Sequence, residues 1–586
     1  MKQQDALRRD QAVDYDLLLQ LLFLVNRTFP LDEDGKGAIL VFLPGWEEIS
    51  FMERALLNSP ATTATYEIAL LHSRLSAQEQ RRAFMTPPHG KRKLVLATNI
   101  AETSLTIEDV VFVVDCGRAG RVRAGICFRL FSKARYETAM KQFMLPELLT
   151  TPLEELLLQI KLLQFEKKLH IRDAKKFLLE AMDAPSETSI DASLQRLEDM
   201  RALTTKGRDH QALTLLGWHL GHICTGGVAV QMAKLLLWGH TFGCFDAILQ
   251  TTCTLSGYRD PFISFLGMSP EEQRQVDASK KAFARNGSPP ALPLQSDHFV
   301  LWKAFEAYLD ARARGSFKAK DAFCARNKLH RQTLEQLVSI YKQLQQDMES
   351  IGLSPATQLV PAAVPKMPAT MESVTPYLMA LSIGMFPNAL FTRSGGVSRN
   401  WTSKEKVKVK IDGASMVTWA AANSQKHKKK HGSEPDEIGP PDEWLVYHEM
   451  MQSERTRVAK YGTKLPSFLL QALLMGSVET QTVEEQEADV EVNADGSIVT
   501  SKWLLVLDDW VVFELSSAHE ARWIALLRER LHATFIRHLE RLHANTQQSG
   551  TRTLSEVDQQ LRQHDAELLH ALVAWVSSDL RRGSRR

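Results

Sequence analysis

Over the first 130 residues, short apolar runs alternate with segments in which apolar residues recur at helical spacing. The runs are rich in β-branched residues and predict buried strands at Ala38–Leu43, Ile68–Leu71, Leu94–Ala97 and Val110–Val114. Helical spacing of apolar residues occurs over Asp16–Asn26, from Trp46 to Leu56 and over Ser76–Phe84. Strands of this composition that alternate with helices predict a parallel sheet covered on both faces. The chain is therefore expected to begin with a doubly wound α/β lobe.

Polar side chains follow the last two predicted strands. Hydroxyl and amide groups follow Ala97, at Thr98, Asn99, Thr103, Ser104 and Thr106. Closely spaced arginines follow the next strand, at Arg118, Arg121 and Arg123. Because ligands bind at the carboxyl ends of parallel strands, these groups are candidates for phosphate or ribose contacts. The polar cluster alone is equally compatible with helix caps and turns.

Four segments resemble motifs of one protein family. ATNIAETSLTI at residues 97–107 resembles motif V of the DEAH/RHA-type superfamily-two RNA helicases, and GRAGRV at Gly117–Val122 resembles the end of their motif VI. VFLPGWEEI at Val41–Ile49 resembles motif IV, and LHSRL at Leu71–Leu75 resembles a segment that grips the nucleic-acid backbone. The chain is thus similar, over roughly residues 10–535, to the carboxyl-terminal part of an ATP-dependent helicase that moves 3′ to 5′ along RNA.

This resemblance implies site residues and a cofactor. Contacts to the backbone of single-stranded RNA are implied for His72, Ser73, Thr98 and Asn99. Nucleotide contacts are implied for Phe84, which would stack on adenine, and for Ser104, Thr106 and Glu108, the last at a position where aspartate is usual. Catalytic roles at the γ-phosphate of ATP are implied for Arg118 and Arg121. Without the resemblance, Phe84 is better explained as a core aromatic of an amphipathic helix.

Two departures from the family pattern affect the expected activity. The chain passes from Asp115 through Gly117 directly into RAGR, so the glutamine and first arginine of the family's QRxGRAGR have no counterpart. A segment missing between Gly117 and Arg118, through a skipped exon or a mispredicted gene model, would explain this. The 586 residues also contain neither GxxxxGK[ST] nor a DExH tetrapeptide. ATP with Mg²⁺ is therefore expected to bind only together with a first RecA-like lobe, and this chain alone is not expected to be a competent motor.

The resemblance also predicts the domain organisation. The expected domains are a second RecA-like lobe at 1–143 with a shortened motif VI region at 117–118, a winged helix at 144–225, a helical ratchet domain at 226–353, a linker at 354–370, an OB-fold with its closing helix at 371–535 and a helical basic tail at 536–586. Within them, β structure is expected at Tyr377–Phe391 and Lys406–Ile411. The acidic residues 479–495 are expected to form a disordered insertion. The basic run at residues 426–431 is expected on a loop, either solvated or in contact with phosphate.

Composition limits the remaining choices. The net charge of +2 gives no reason by itself to expect a polyanionic partner. Six cysteines without CxxC spacing indicate reduced core thiols rather than zinc or disulfides, and no signal peptide or membrane span is expected, which favours the cytoplasm or nucleus. RNA, single-stranded or structured, is the expected partner, with protein activators at the OB-fold as a further class. The alternatives to a helicase part are a non-catalytic RNA-binding or scaffold protein and an adaptor for proteins.

Overall fold

The chain divides into two compact units in the computed structural model, namely residues 1–145 with 264–269, and residues 146–263 with 270–586. The structure describes residues 15–31, 37–43, 46–71, 82–98, 107, 109–115, 126–130, 146–149, 151–166, 173–204, 211–256, 260–263, 268–285, 295–314, 317–360, 371–392, 401–418, 443–452, 456–476, 478, 480–492, 498–515, 517–547 and 556–583. None of the helices in these ranges is both long and apolar enough to cross a membrane.

The first unit is a parallel α/β sheet. Its elements are α1 (Tyr15–Thr28), β1 (Ala38–Phe42), α2 (Trp46–Leu57), α3 (Pro60–Thr65), β2 (Tyr66–Leu71), a 3₁₀ turn (Arg82–Phe84), β3 (Arg92–Ala97), β4 (Val110–Asp115) and β5 (Ile126–Arg129). The five strands lie in the order β2-β3-β1-β4-β5, and every pair is parallel. The four strands expected from the sequence are all present. Of the expected helix Ser76–Phe84, only the 3₁₀ turn lies within the described residues.

Both faces of this sheet are covered. Leu18, Leu22 and Val25 of α1 pack with Ile39 and Val41 on one face. The opposite face carries Ala38, Leu40 and Phe42, packed with Ala83 and Ile107. All residues of β1 and β3 are consequently buried, which explains why β1 and the Leu94–Ala97 part of β3 are continuous apolar runs rather than alternating patterns.

The second unit begins with a helical region. After a 3₁₀ turn at Glu147–Leu149, its helices are α4 (Glu154–Phe165), α5 (Ala174–Leu179), α6 (Glu187–Asp199), α7 (Leu215–Cys224), α8 (Val230–Thr241), α9 (Phe245–Ser256), α10 (Pro270–Ala284), α11 (Asp297–Arg314), α12 (Phe317–Arg326), α13 (Arg331–Ser350) and α14 (Met371–Met385). α8 and α9 pack tightly because Gly239 brings them together: a Cβ there would lie 2.7 Å from Ile248 Cγ1. Four cysteines of this unit, at positions 224, 244, 253 and 324, are buried and free.

The unit continues with two β structures. Strands β6 (Ala389–Thr392), β7 (Trp401–Thr402), β8 (Lys408–Ile411), β9 (Glu443–Gln452) and β10 (Arg457–Leu465) form a closed five-stranded barrel. Helix α15 (Phe468–Leu474) leads to an antiparallel sheet of β11 (Thr482–Val492), β12 (Ile498–Leu507) and β13 (Val511–Leu515), followed by the long helices α16 (Ala518–Gln547) and α17 (Glu556–Gly583). The winged-helix and OB-fold names, and the domain bounds, stay predictions.

Two expectations from the sequence are wrong. Residues 377–385 belong to helix α14 and not to a strand; Tyr377, Leu378 and Leu381 are fully buried, and a run that is apolar on every side has no period to separate helix from strand. The acidic stretch is not a disordered insertion, because residues 482–492 form β11, paired with β12 at the edge of its sheet. The exposed side chains of Glu484 and Glu485 suit an edge strand, where charge discourages pairing with other chains.

Candidate nucleotide and nucleic-acid sites

The carboxyl ends of the five parallel strands lie at one level of the sheet. The strand register joins, in sheet order, Leu71, Ala97, Phe42, Asp115 and Arg129. Backbone hydrogen bonds extend the pairing beyond the strands: Leu43 N donates to Ala97 O over 2.8 Å, and Leu130 N donates to Asp115 O over 2.9 Å. The segments that follow β2, β3 and β4, which carry most of the predicted site residues, therefore leave the sheet at one edge.

The strand order defines a switch point within this edge. The connection after β1 runs to β2 on one side of the sheet, and the connection after β4 runs to β5 on the other. β1 and β4 are neighbours, so a crevice is expected outside their carboxyl ends, where open α/β sheets bind ligands. Arg118 and Arg121 lie shortly after Asp115, the last residue of β4, but are outside the described residues.

Thr98 is the predicted RNA contact whose position the structure gives. Its backbone N–H donates to Leu71 O over 3.4 Å, which fixes Thr98 beside the end of β2. Its residue surface is 8% exposed, so only a small part of it is accessible. The other three predicted RNA contacts, His72, Ser73 and Asn99, lie outside the described residues. His72 directly follows Leu71, and Asn99 directly follows Thr98.

Phe84 is the predicted nucleotide contact within the described residues. It closes the 3₁₀ turn, and 42% of its surface is exposed, whereas Ala83 before it is fully buried in the core. The alternative reading of Phe84 as a core aromatic is wrong, because Ala83 takes that place. A ring with this much open surface has room to stack on a planar group. The adenine role of Phe84 stays a prediction, and Ser104, Thr106 and Glu108 lie outside the described residues.

Lys93 of β3 is a buried cation that the sequence reasoning missed. Its side chain is 4% exposed, and its Nζ lies 2.8 Å from Asp109 Oδ2. The same ammonium donates to Ala83 O over 3.2 Å. Lys93 thus connects the turn that ends in Phe84 with Asp109, the neighbour of Glu108. The sequence offers little signal for this, because Lys93 follows Arg92 at the start of β3, before the apolar run Leu94–Ala97.

Arg92, also on β3, stabilises the lobe from within. The residue is 1% exposed; its Nε donates to Asn26 Oδ1 over 3.0 Å and its Nη1 to Gly37 O over 2.5 Å, while Nη2 donates to Phe29 O. These bonds attach the end of α1 and the start of β1 to β3. Arg92 is consequently a structural residue of the sheet that carries the candidate edge.

The connection from β4 to β5 is short. β4 ends at Asp115, β5 starts at Ile126 and the two strands are parallel neighbours, so residues 116–125 make the whole return. Parallel neighbours usually need a dozen or more residues, commonly with a helix. This shortness agrees with the expectation of a missing segment after Gly117, which stays a prediction.

The barrel carries exposed lysines on strand β8 and on the residues just before it. We call Lys406, Lys408 and Lys410 the basic strip; all three are exposed, whereas Val409 between the last two is fully buried in the barrel core. The alternation within β8 therefore exposes Lys408 and Lys410, and Lys406 is exposed in the turn before the strand, so the three form a surface suited to phosphate. The aromatic residues are less available for stacking on bases, because Trp401 and Trp444 are 8% and 4% exposed. The basic run at 426–431 is outside the described residues.

The groups that would hold ATP and Mg²⁺ can be compared with these residues. The exposed ring of Phe84, supported through Ala83 by Lys93, fits the base-stacking part of a nucleotide site. No set of three or more His, Cys, Asp or Glu side chains suitable for a metal occurs among the described residues. The described residues thus include an exposed aromatic ring and no candidate metal-ligand cluster.

Two family models match the chain. The helicase conserved C-terminal domain matches residues 15–126, and the ratchet-like helicase associated domain (HA2) matches residues 229–301. The first match covers the parallel-sheet lobe from α1 to the start of β5. The second extends from α8 into α11, within the segment expected to form the ratchet.

Similar full-length proteins carry helicase names. The chain is 34% identical to the DExH-box ATP-dependent RNA helicase DExH1 of Arabidopsis thaliana over 65% of its own length and 38% of the relative's. It is 30% identical to the human ATP-dependent DNA/RNA helicase DHX36, over 89% of this chain and 48% of that protein. It is 29% identical to the human ATP-dependent RNA helicase DHX29, over 86% of this chain and 35% of that protein. The chain thus spans less than half the length of each of these relatives.

Proposed function

This chain belongs to the DEAH-type RNA helicases, whose carboxyl-terminal part it matches, and we propose that it grips single-stranded RNA in a motor that couples ATP hydrolysis to 3′ to 5′ translocation. In this proposal the lobe of the first unit supplies both ligand surfaces. One surface is the carboxyl edge of the sheet, and the other is the surface around Phe84. A first lobe would supply the phosphate cradle and the Mg²⁺ ligands.

The observation that carries the proposal is the common level of the strand ends. Because Leu71 and Ala97 are paired, the residues that follow them, His72 and Thr98, start from adjacent points of one edge. Hydroxyl, amide and imidazole groups at such an edge hold the sugar-phosphate backbone without reading base sequence. Asp115 lies on the same register line, so the arginine-bearing segment starts there too. Because both segments start at one edge, a movement of the lobe would change the RNA contact and the γ-phosphate contact together.

The nucleotide surface has its own role. Phe84 stacks on the adenine base, and the Lys93 ammonium holds the Phe84 turn against Asp109. Arg118 and Arg121 neutralise the charge that develops on the γ-phosphate, a contribution worth about 10³ to 10⁵ in rate when an arginine is well placed. The shortened β4–β5 connection bears on this step directly, because it contains both arginines.

The barrel adds a second, electrostatic contact with RNA. The basic strip offers three exposed lysines on β8 and the turn before it, in a closed five-stranded barrel, the architecture of many OB-fold nucleic-acid binders. RNA affinity from such groups falls with salt because counterions are released on binding. Protein activators would compete for the remaining barrel surface. An RNA partner and buried free cysteines favour an intracellular location.

RNA binding by the complete 586-residue chain tests the proposal. Fluorescence anisotropy with labelled single-stranded RNAs of unrelated sequence should give similar, salt-dependent affinities for all of them. Replacing His72 and Asn99 together by alanine should weaken binding at least fivefold for every RNA. Thr63→Ala, on α3 at the opposite end of the β2 strand, is the matched control and should leave the affinity unchanged. A double variant that binds RNA as tightly as the parent chain would show that RNA does not bind at the carboxyl edge of the sheet.

The second candidate function is static RNA binding without catalysis. It is favoured by one observation, the absence of GxxxxGK[ST] from these 586 residues. Hydrolysis of ATP by the purified chain distinguishes the two. RNA-stimulated hydrolysis that disappears in Arg121→Ala would eliminate the static function; RNA binding without hydrolysis would support it for this polypeptide.

A further inference from the structure

One lysine of the first unit is bonded to two segments that carry predicted ligand contacts. We call residues 82–84 the stacking turn and residues 98–109 the polar segment. Lys93 Nζ donates to Ala83 O of the stacking turn over 3.2 Å and to Asp109 Oδ1 of the polar segment over 3.0 Å, and Asp109 Oδ2 lies 2.8 Å from the same nitrogen. The Lys93 side chain is 4% exposed, so water screens this ion pair less than it screens a surface pair. Lys93 thus links the turn that ends in Phe84 to the last residue of the polar segment.

The stacking turn and the end of the polar segment also meet in the core. Ala83 and Ile107 belong to the apolar cluster that covers one face of the sheet, and both are buried. Asp109 is held a second time through its backbone, because its carbonyl oxygen accepts a hydrogen bond from Ala38 N over 3.0 Å. The side chain of Asp109 is therefore fixed to Lys93 and its backbone to the start of β1. A displacement of the stacking turn acts on the polar segment through both the ion pair and the core contact.

The polar segment is bonded to the sheet at each of its ends. At the first end, the backbone N–H of Thr98 donates to Leu71 O over 3.4 Å. At the last end, Asp109 is held by Lys93. The contacts predicted along the segment begin with RNA contacts and continue with nucleotide contacts, namely Thr98 and Asn99, then Ser104, Thr106 and Glu108. Both kinds of contact are therefore predicted on one segment, and its last residue is bonded to the lysine that holds the stacking turn.

We propose that Lys93 couples the binding of an adenine base at Phe84 to the binding of single-stranded RNA. This inference rests on the proposed function and adds that the base itself, without phosphates, is a regulatory ligand. A base stacked on Phe84 immobilises the stacking turn, and the turn holds Lys93 and Asp109. The end of the polar segment is then already in place when RNA binds at its first residues, which lowers the ordering cost of RNA binding. Lys93 and Asp109 act in this scheme as positioning residues.

Adenosine and a labelled single-stranded RNA test the coupling in the complete 586-residue chain. Fluorescence anisotropy gives the RNA affinity with and without saturating adenosine, and saturation-transfer NMR gives the adenosine affinity with and without RNA. Each ligand should tighten the binding of the other at least about threefold, and by the same factor, because coupling between two sites is reciprocal. Ribose, which lacks the base, should leave the RNA affinity unchanged.

The possible failures of this experiment are distinguishable. If adenosine and RNA both bind but neither changes the affinity of the other, the coupling is wrong and the proposed function stands. An equal effect of ribose on RNA affinity would likewise overturn the coupling alone. If either adenosine or RNA does not bind to the chain, the proposed function and the coupling are both wrong.

Three variants locate the coupling. Lys93→Met should reduce the coupling factor to about 1. Asp109→Ala should do the same, and it keeps the test decisive if Lys93→Met does not fold, because the Asp109 side chain is 25% exposed. Arg92→Met is the matched control: Arg92 is the neighbouring buried cation of β3, but it donates to Asn26, Phe29 and Gly37. This control should destabilise the lobe and keep the coupling factor of the parent chain. An equal loss of coupling in Arg92→Met, or full coupling in Asp109→Ala, would refute the assignment to Lys93.

Hydrogen exchange gives a second measurement, which needs no RNA. In the parent chain, adenosine should slow amide exchange both in the stacking turn and in the peptide that contains Ile107, Asp109 and Val110. In Asp109→Ala, adenosine should slow exchange in the stacking turn alone, because the ion pair that connects the two regions is lost. Slower exchange of both regions in this variant would show that the ion pair does not carry the coupling.

Discussion

The two units bury polar groups in different ways. The parallel-sheet unit buries two basic side chains, Arg92 and Lys93, and satisfies them with backbone carbonyls, an amide and one carboxylate. The second unit also buries cations, at Lys234, Lys303 and Arg528, and in addition buries four imidazoles, at His219, His240, His298 and His538. His240 Nδ1 and His538 Nε2 are 2.9 Å apart and share one hydrogen bond between α8 and α16. Arginine and lysine side chains that are already protonated take up no further proton in acid, whereas a buried neutral imidazole can, so the units should respond differently to acid.

The largest expected effect is a selective loss of stability at low pH. Burial lowers the pKa of His219 to about 4 and those of His240 and His298 to about 3, while the unfolded chain binds these protons near pH 6.5. Their contribution to stability is therefore complete above pH 6.5 and is lost as the pH falls toward the folded values. At pH 5 the second unit should lose roughly 4 to 8 kcal/mol, partly offset by Asp297, whose pKa burial raises.

Urea unfolding followed by pulse proteolysis at pH 7 and pH 5 checks this difference. Mass spectrometry of the surviving fragments reports the two units separately in one sample. The described part of the first unit contains one histidine, His89, so this unit should lose less than about 1 kcal/mol. Equal losses in both units would refute the distinction.

The next effect concerns buried against exposed cations within the first unit. Arg92→Met leaves the carbonyls of Phe29 and Gly37 without their donor and should cost about 3 to 4 kcal/mol of unfolding free energy. Arg82→Met is the matched control: that side chain is 60% exposed, its ion pair with Glu67 is a surface contact, and its loss should cost less than about 1 kcal/mol. Hydrogen exchange in β1 and β3 measures both. Similar values for the two variants would show that Arg92 is not a structural cation.

A smaller effect on stability is expected for the exposed lysines of the barrel. Changing the basic strip to glutamine at Lys406, Lys408 and Lys410 should leave stability within about 0.5 kcal/mol, because the side chains are exposed. It should weaken single-stranded RNA binding and reduce the slope of log affinity against log salt by about 2. Anisotropy titrations between 50 and 200 mM salt provide the slope. An unchanged slope would show that the basic strip does not contact RNA.

The last comparison is between two phenylalanines of the lobe, and the effect expected for the exposed one, Phe84, is small. Phe84→Ala should cost less than about 1 kcal/mol of stability because the ring is 42% exposed, whereas Phe112→Ala, at a site 5% exposed, should cost about 3 to 5 kcal/mol. Urea unfolding of both variants gives the comparison. A large loss of unfolding free energy in Phe84→Ala would show that the Phe84 ring belongs to the core, and it would weaken the assignment of this ring to adenine.

The sequence by itself determined the parallel lobe and the motif positions. Runs such as Leu94–Ala97 are apolar enough to require burial on both faces, and the strand that forms there needs no knowledge of its partners. The motif resemblance likewise depends on short contiguous segments. Both kinds of information are local, so one chain without structure sufficed.

Tertiary structure alone decided the partners of the buried polar groups and the accessibility of the surface ones. Whether residues 377–385 form a helix or a strand depended on the packing around a uniformly apolar run, and the formation of β11 depended on its pairing with β12. The sequence does not show which carbonyl accepts the hydrogen bond from Lys93, or that Lys234 and Arg528 border one cavity. Both follow from contacts between segments that are distant in the chain. Burial makes such contacts strong, and burial is a property of the assembled fold that no local pattern encodes.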